Sequence, residues 1–374
     1  MSTTQTSVVS SLRASVWRRW FVVPLRTLLS NSMIHAVRWT PIRIVNVFQA
    51  TLAMALSRLF RRPIIWGVPP MLMIEPTNIC NLKCPMCPSG NGSMTRPRGR
   101  LDRTAYQRLI DAVGHRLLQI QLWNQGEPFI HPRLVDFIRY AKARGIMVIT
   151  STNGHFIRTD EAARELIQSG LDQLIFSLDG TNPETYTRYR VGGNFQRVMD
   201  ALTRIARIRR EMRSPTPIIE LQFLVFRHNQ HEIDALIQFA EAIGVDRISF
   251  KSAQVYTQPQ AQAYLPDDPR FNRYETGTTD VRIKGRLPNW CKRLWLNPVV
   301  NWDGTLSPCC FDKDADWAMG NVFREEQTFS EVWRGQAFQR FRWHILHRRA
   351  GIPMCRNCTE GLPQPYAYIV NLPR

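Results

Sequence analysis

Residues Glu75-Pro76-Thr77-Asn78-Ile79-Cys80-Asn81-Leu82-Lys83-Cys84-Pro85-Met86-Cys87-Pro88 decide how the rest of this chain is read. Three thiols, Cys80, Cys84 and Cys87, fall within eight residues, close enough for one loop to wrap one cluster. A four-iron cluster normally takes four thiolates. With three, one iron stays open to a ligand from outside the protein. A zinc knuckle or unrelated thiols are the alternatives; zinc would want a fourth local ligand, and none stands near.

The other five cysteines lie far downstream, at Cys291, Cys309, Cys310, Cys355 and Cys358. Two such groups do not look like a secreted disulfide framework. They suit metal ligation in a reducing compartment, so a cytoplasmic location is expected. The 374 residues, 44% of them hydrophobic, can bury a large core and suggest one large domain with a smaller one. Lys and Arg number 49 against 30 Asp and Glu, a formal charge of +19. A basic surplus alone is weak ground for nucleic acid. No RNA-binding module is visible, and no nucleic-acid partner is expected.

The charge is concentrated at the start. No Asp or Glu precedes Glu75, and the first 74 residues hold nine arginines and no lysine. Val9, Leu12, Val16, Trp20 and Val23 lie near helical spacing with Arg13, Arg19 and Arg26 between them, and Pro24 divides the segment. A second helix is expected over 42–60, with Ile44, Val45, Phe48, Leu52, Leu56, Leu59 and Phe60 on its apolar side. The longest uncharged stretch, 44–57, is 14 residues, too short to span a bilayer. Arginines, aromatic residues and leucines without acid suit a helix lying on a membrane surface. A packed helical extension and a transit peptide are the alternatives.

From residue 71 to about 250 short apolar runs alternate with helical patterns. Strands are expected at 71–75, 118–123, 147–150, 173–178, 218–225 and 247–250, and helices at 102–113, 132–143, 159–168, 194–211 and 229–243. That alternation implies parallel βαβ units, whose ligands gather at the carboxyl ends of the strands. Polar motifs stand at those ends: Gly126-Glu127-Pro128, Ser151-Thr152-Asn153-Gly154 and Ser177-Leu178-Asp179-Gly180. Arg190 precedes Gly192-Gly193 and has the fork that pairs with a carboxylate. Strand-end capping and an exposed helix-end arginine are the plainer readings. His228, His231, His344 and His347 read as surface residues, while Lys251, Tyr256 and Tyr264 follow the last strand and could face substrate.

The cysteine loop resembles that of the radical S-adenosylmethionine superfamily. The resemblance covers about 71–358 and implies a partial (β/α)6 TIM-like barrel, an α/β fold. It implies that Cys80, Cys84 and Cys87 hold a [4Fe–4S] cluster whose open iron binds S-adenosylmethionine. Reduction then gives a 5′-deoxyadenosyl radical that abstracts hydrogen from substrate. By the same resemblance Gly126, Glu127, Ser151, Asn153, Ser177, Asp179 and Arg190 are cofactor contacts. Many family members carry an aromatic residue just before the third cysteine; here it is Met86, and a thioether can also pack on adenine.

Residues 299–308 read as a β-hairpin turning at Asp303-Gly304, just before Cys309. This hairpin and the cysteine spacing resemble the Twitch or SPASM domain that follows many of these barrels. The resemblance implies that Cys291, Cys309, Cys355 and Cys358 hold a second [4Fe–4S] cluster acting as electron relay, with Cys310 a bystander. Structural zinc is the rival. The expected layout is a basic amphipathic helical extension (1–66), the barrel (67–250), a linker (251–290) and the auxiliary domain (291–374). The expected function is a radical S-adenosylmethionine oxidoreductase on a small or lipid-linked metabolite, served by a low-potential flavodoxin or ferredoxin and peripheral to the inner face of the membrane. The alternatives are a peptide-modifying maturase and a non-catalytic iron–sulfur or zinc module.

Overall fold

The computed structural model describes residues 35–275, 280–362 and 366–373. Six parallel strands form its centre: β1 (Met71–Ile74), β2 (Gln119–Leu122), β3 (Met147–Thr152), β4 (Gln173–Ser177), β5 (Ile218–Val225) and β6 (Arg247–Ser252). They pair in chain order, Leu72 opposite Ile120 and Leu221 opposite Ile248 being examples. Parallel strands covered by helices are buried on both faces and read as continuous apolar runs. All four residues of β1 are accordingly buried.

Five longer helices return the chain between these strands. An additional helix, α1 (Pro41–Phe60), precedes β1. The five are α2 (Arg103–Val113), α3 (Leu134–Ala143), α4 (Asp160–Gln168), α5 (Phe195–Glu211) and α6 (Ile233–Ile243). Side-chain caps set three starts: Asp102 accepts from Ala105 N, Thr159 from Ala162 N and Asn194 from Arg197 N. Each strand falls within one or two residues of its expected place. The partial (β/α)6 barrel is therefore borne out.

Both edges of the barrel sheet are extended by the C-terminal third. Strand β7 (Val299–Val300) runs parallel to β1, and β8 (Leu306–Ser307) pairs back on β7 through the expected turn, with Gly304 at φ +87°. Strand β9 (Ala367–Asn371) lies antiparallel on β6. Between them α7 (Phe329–Arg334) and α8 (Gln336–Arg348) pack Trp333, Phe338 and Phe341 into the core. The stretch expected as a linker holds a helix, Gln258–Tyr264, and packs Val255, Leu265, Tyr274 and Ile283 over Leu82, Cys84 and Met86 of the cysteine loop.

Helix α1 turns a mixed side to the protein: Arg43, Asn46 and Ser57 are buried beside Ala50, Ala53 and Met54, while Ile44, Val45, Phe48, Leu59 and Phe60 face out. Its polar residues bond the backbone beneath. The Arg43 guanidinium donates to the carbonyls of Arg38 (2.5 Å), Gly145 (2.8 Å), Gly114 (3.1 Å) and Arg144 (2.8 Å). Gly114 and Arg144 cap the ends of α2 and α3, where a cation meets the negative pole of each helix. The helix expected over residues 8–31 lies outside the described residues. Among the described residues no helix is long and apolar enough to cross a membrane.

Candidate active site and auxiliary cysteine site

At the carboxyl ends of the strands a cavity of about 770 Å³ is lined by Cys80, Cys84, Cys87, Gly126, Glu127, Ser151, Asn153, Ser177 and Arg190. Nine of the ten barrel residues read from the sequence as cluster or cofactor residues thus meet on one space, and Asp179 stands behind it. The loop is held from both sides. Glu75, fully buried at the end of β1, takes both guanidinium nitrogens of Arg96 (2.7 and 2.5 Å). The same carboxylate accepts from Asn124 Nδ2 and Gln125 N, each at 3.1 Å, fixing the turn after β2.

Gly126 occupies a place no larger residue fits. Its φ is +77°, and a Cβ would stand 2.6 Å from Thr77 O and 2.7 Å from Ile79 O. The Glu127 amide donates to Ile79 O at 2.8 Å. Its carboxylate accepts from Thr152 Oγ1 (3.0 Å), Asn153 N (2.7 Å) and Phe129 N (3.2 Å), so it ties the ends of β2 and β3 together. Burial pushes this carboxyl up to about 7. Asn153 in turn reaches Asn81 Oδ1 (2.8 Å) and lies 3.9 Å from Cys80 Sγ.

Asp179 is fully buried, and its oxygens accept from Arg190 Nε (2.6 Å) and Leu224 N (2.7 Å). It therefore positions Arg190 and is not itself on the cavity wall. Burial opposes the charge on Arg190, but Asp179 and the Cys84 sulfur outweigh it and hold the guanidinium protonated. The sequence showed each partner without showing the pair.

The second cysteine set is Cys291, Cys309, Cys355 and Cys358, all buried and free of disulfides. Arg349, buried beside Cys355, Cys291 and Cys358, donates to the carbonyls of Trp290 (2.8 Å) and Pro288 (3.3 Å). Glu360 N points at Cys358 Sγ from 3.4 Å. Burial pushes the Cys80 and Cys291 thiols up to about 12 and Cys355 up to about 11. Thiols this buried stay protonated until a metal displaces the proton. Soft sulfur donors, a flanking guanidinium and backbone N–H groups aimed at sulfur together fit iron–sulfur clusters at both sets.

Cys310 stands apart from the four auxiliary cysteines. It faces the barrel cavity beside Lys251, Lys292, Arg293 and Glu360, whereas Cys309 turns to the auxiliary set. Lys251 Nζ donates to Gln222 at 2.5 Å, and Glu360 takes Arg293 (3.1 Å) and Lys292 (3.3 Å). His228 departs from its surface reading: it is buried and stacked on Phe226, with centroids 5.2 Å apart. The link between the two cysteine sets was not expected either. Arg96 Nε donates to Lys313 O (2.8 Å), Thr95 N to Asp314 Oδ1 (2.7 Å), and Trp302 packs on Gly99. A polar cleft of about 2050 Å³ runs alongside, bordered by Met86, Asn91, Tyr256, Phe311, Lys313 and Asn357.

Comparison with known proteins agrees with this geometry. Residues 74–240 match the Radical SAM superfamily, and residues 291–359 match the SPASM iron–sulfur cluster-binding domain. The chain is 25% identical over 321 residues to the tungsten-containing aldehyde ferredoxin oxidoreductase cofactor-modifying protein of Pyrococcus furiosus, covering 77% of this chain and 86% of that protein. It is 26% identical over 317 residues to the PqqA peptide cyclase of Ruegeria pomeroyi, covering 78% and 80%. Among solved structures, Streptococcus suis SuiB bound to S-adenosylmethionine superposes with a TM-score of 0.57 at 14% identity, over 90% of this chain and 81% of SuiB. The S-adenosylmethionine-bound anSMEcpe superposes at 0.51 and 16%, over 72% and 82%. At such identities these two likenesses are of fold.

Proposed function

The chain belongs to the radical S-adenosylmethionine superfamily, in its SPASM-domain branch, and we propose that within it the protein modifies a peptide substrate by hydrogen abstraction. As a member it binds S-adenosylmethionine and iron–sulfur clusters. When bound and reduced, that cofactor pair supplies the 5′-deoxyadenosyl radical. The observation that carries the peptide reading is the cleft of about 2050 Å³ beside the cavity of about 770 Å³. Small-molecule sites run to about 300–1,000 Å³. The inner cavity has room for the cofactor, and the outer cleft exceeds what a small molecule needs, as a peptide backbone would require. The similarity to PqqA peptide cyclases across most of the chain supports the same reading.

In this proposal Cys80, Cys84 and Cys87 hold the catalytic cluster, and Gly126, Ser151, Asn153, Ser177 and Arg190 touch S-adenosylmethionine. Glu127 and Asp179 position these contacts. Cys291, Cys309, Cys355 and Cys358 hold one auxiliary cluster, and a low-potential flavodoxin or ferredoxin delivers the electron. The inner cavity, of small-molecule size, favours a second reading, oxidation of a small metabolite. Dithionite-reduced, anaerobically reconstituted protein is mixed with S-adenosylmethionine and either a random peptide library or a panel of sugars and polyols. The peptide library should accelerate 5′-deoxyadenosine release and yield peptides lighter by hydrogen. Acceleration by the polyols alone would transfer the assignment to a metabolite oxidoreductase. Replacing Cys80, Cys84 and Cys87 by Ala should remove about half the iron and all cofactor cleavage.

A further inference from the structure

The outward face of α1 is an apolar surface that the proposed reaction does not use. Ile44 is 54% exposed, Val45 52%, Phe48 65%, Leu59 71% and Phe60 59%. Half-buried Leu52 and Leu56 join these two groups along the helix; single exposed apolar residues are ordinary, but such a strip marks an interaction surface. The helix cannot roll to bury it. Its other face is pinned by the four Arg43 bonds, by Asn46 Nδ2 on Val68 O and Arg116 O (both 3.1 Å), and by Ser57 Oγ accepting from Ile64 N at 2.8 Å. Arg61 and Arg62, both exposed, stand at the end of the strip, and no carboxylate occurs in the first 74 residues.

We infer that this face docks on an anionic lipid bilayer. An apolar strip edged by arginine and free of acid is the pattern of an interfacial helix. Each basic side chain near an anionic leaflet strengthens partitioning roughly fivefold. A second copy of the chain would offer this face no carboxylate of its own from the first 74 residues to meet the arginines. The residues that α1 grips, Val68, Arg116 and Gly145, lie just before β1, β2 and β3. Docking therefore turns the amino ends of these strands to the lipid and their carboxyl ends, with Cys80–Cys87, away from it. Arg61, which caps the helix, also borders the large cleft, so the cleft begins where the docked helix ends. None of this depends on the substrate being a peptide.

The test uses full-length protein and sedimentation with vesicles of equimolar phosphatidylglycerol and phosphatidylcholine, or of phosphatidylcholine alone. Wild type should pellet with the anionic vesicles, and high salt should weaken binding without abolishing it, because the apolar contribution is not screened. V45E/F48E keeps every arginine and should lower the partition coefficient by at least about tenfold. Both positions are exposed, so its thermal unfolding should match wild type; Phe48→Ser should give a smaller loss in the same direction. Wild type remaining in the supernatant would overturn the inference, as would equal binding by V45E/F48E. So would self-association of wild type without lipid that V45E/F48E abolishes, which would assign the face to a second copy.

Discussion

Replacing Gly126 by alanine should both destabilise the protein and weaken cofactor cleavage, by an amount the geometry allows to be divided. Gly126 has φ +77°, and its Cβ would lie 2.6 Å from Thr77 O and 2.7 Å from Asn78 C and Ile79 O. A left-handed alanine costs about 1–2 kcal/mol. Forcing a methyl into packed backbone adds about 1–3 kcal/mol, for a sum of about 2–5 kcal/mol. Gly92 is the control, since its φ is +81° but its Cβ would meet nothing within 4 Å. Gly92→Ala should cost only the backbone part, about 1–2 kcal/mol. At about 2–4 °C per kcal/mol, the gap between the two variants in Tm is about 2–12 °C, readable by circular dichroism. The displaced carbonyls lead directly into Cys80, so 5′-deoxyadenosine release should fall in Gly126→Ala and hold in Gly92→Ala. Equal Tm values for the two variants would refute the close approach of the turn to the cysteine loop.

Arg43→Met keeps only the apolar stem and removes the bonds to four carbonyls. Leaving even one or two of those carbonyls buried and unpaired should cost about 1–3 kcal/mol each, and the change should expose residues 41–60 to limited proteolysis. A second expectation concerns pH. His155 Nε2 accepts from Asn194 N (2.8 Å) and His131 Nδ1 accepts from Arg133 N (3.0 Å), so each ring must be neutral at that nitrogen. Burial lowers both imidazoles below their ordinary value of 6.5. The unfolded chain therefore takes up these protons first. Their contribution to stability is complete above about pH 6.5 and is lost as pH falls through that value toward the lowered folded pKa. Denaturant midpoints between pH 7.5 and 5 should shift downward in wild type relative to His155→Gln; parallel curves would refute the assignment.

The barrel was legible because its signals are local. Each strand is a short apolar run between polar turns, and the Asp303-Gly304 turn is stated by its own two residues. The cysteines were legible for the same reason. What escaped were pairings across long stretches of chain. Apolar periodicity located α1 but not its orientation, because the bonds that fix it run from Arg43 to carbonyls about a hundred residues away. Asp179 read as a cofactor contact because nothing local announces that Arg190 will occupy its carboxylate. The Glu75–Arg96 pair was unreadable because a lone arginine in a polar loop carries no mark of burial.

The C-terminal third joins the barrel sheet twice, through β7 on β1 and β9 on β6. The segment carrying Cys309, Cys355 and Cys358 is thus a span fastened at both abutments rather than an arm on a hinge. It cannot swing from the barrel without unzipping a ladder of backbone bonds at one edge. The distance an electron would cross between the two cysteine sets is then set by the architecture of the sheet. Lengthening a loop within the span would leave that distance unchanged, whereas deleting Ala367–Asn371 would free one end and let it drift.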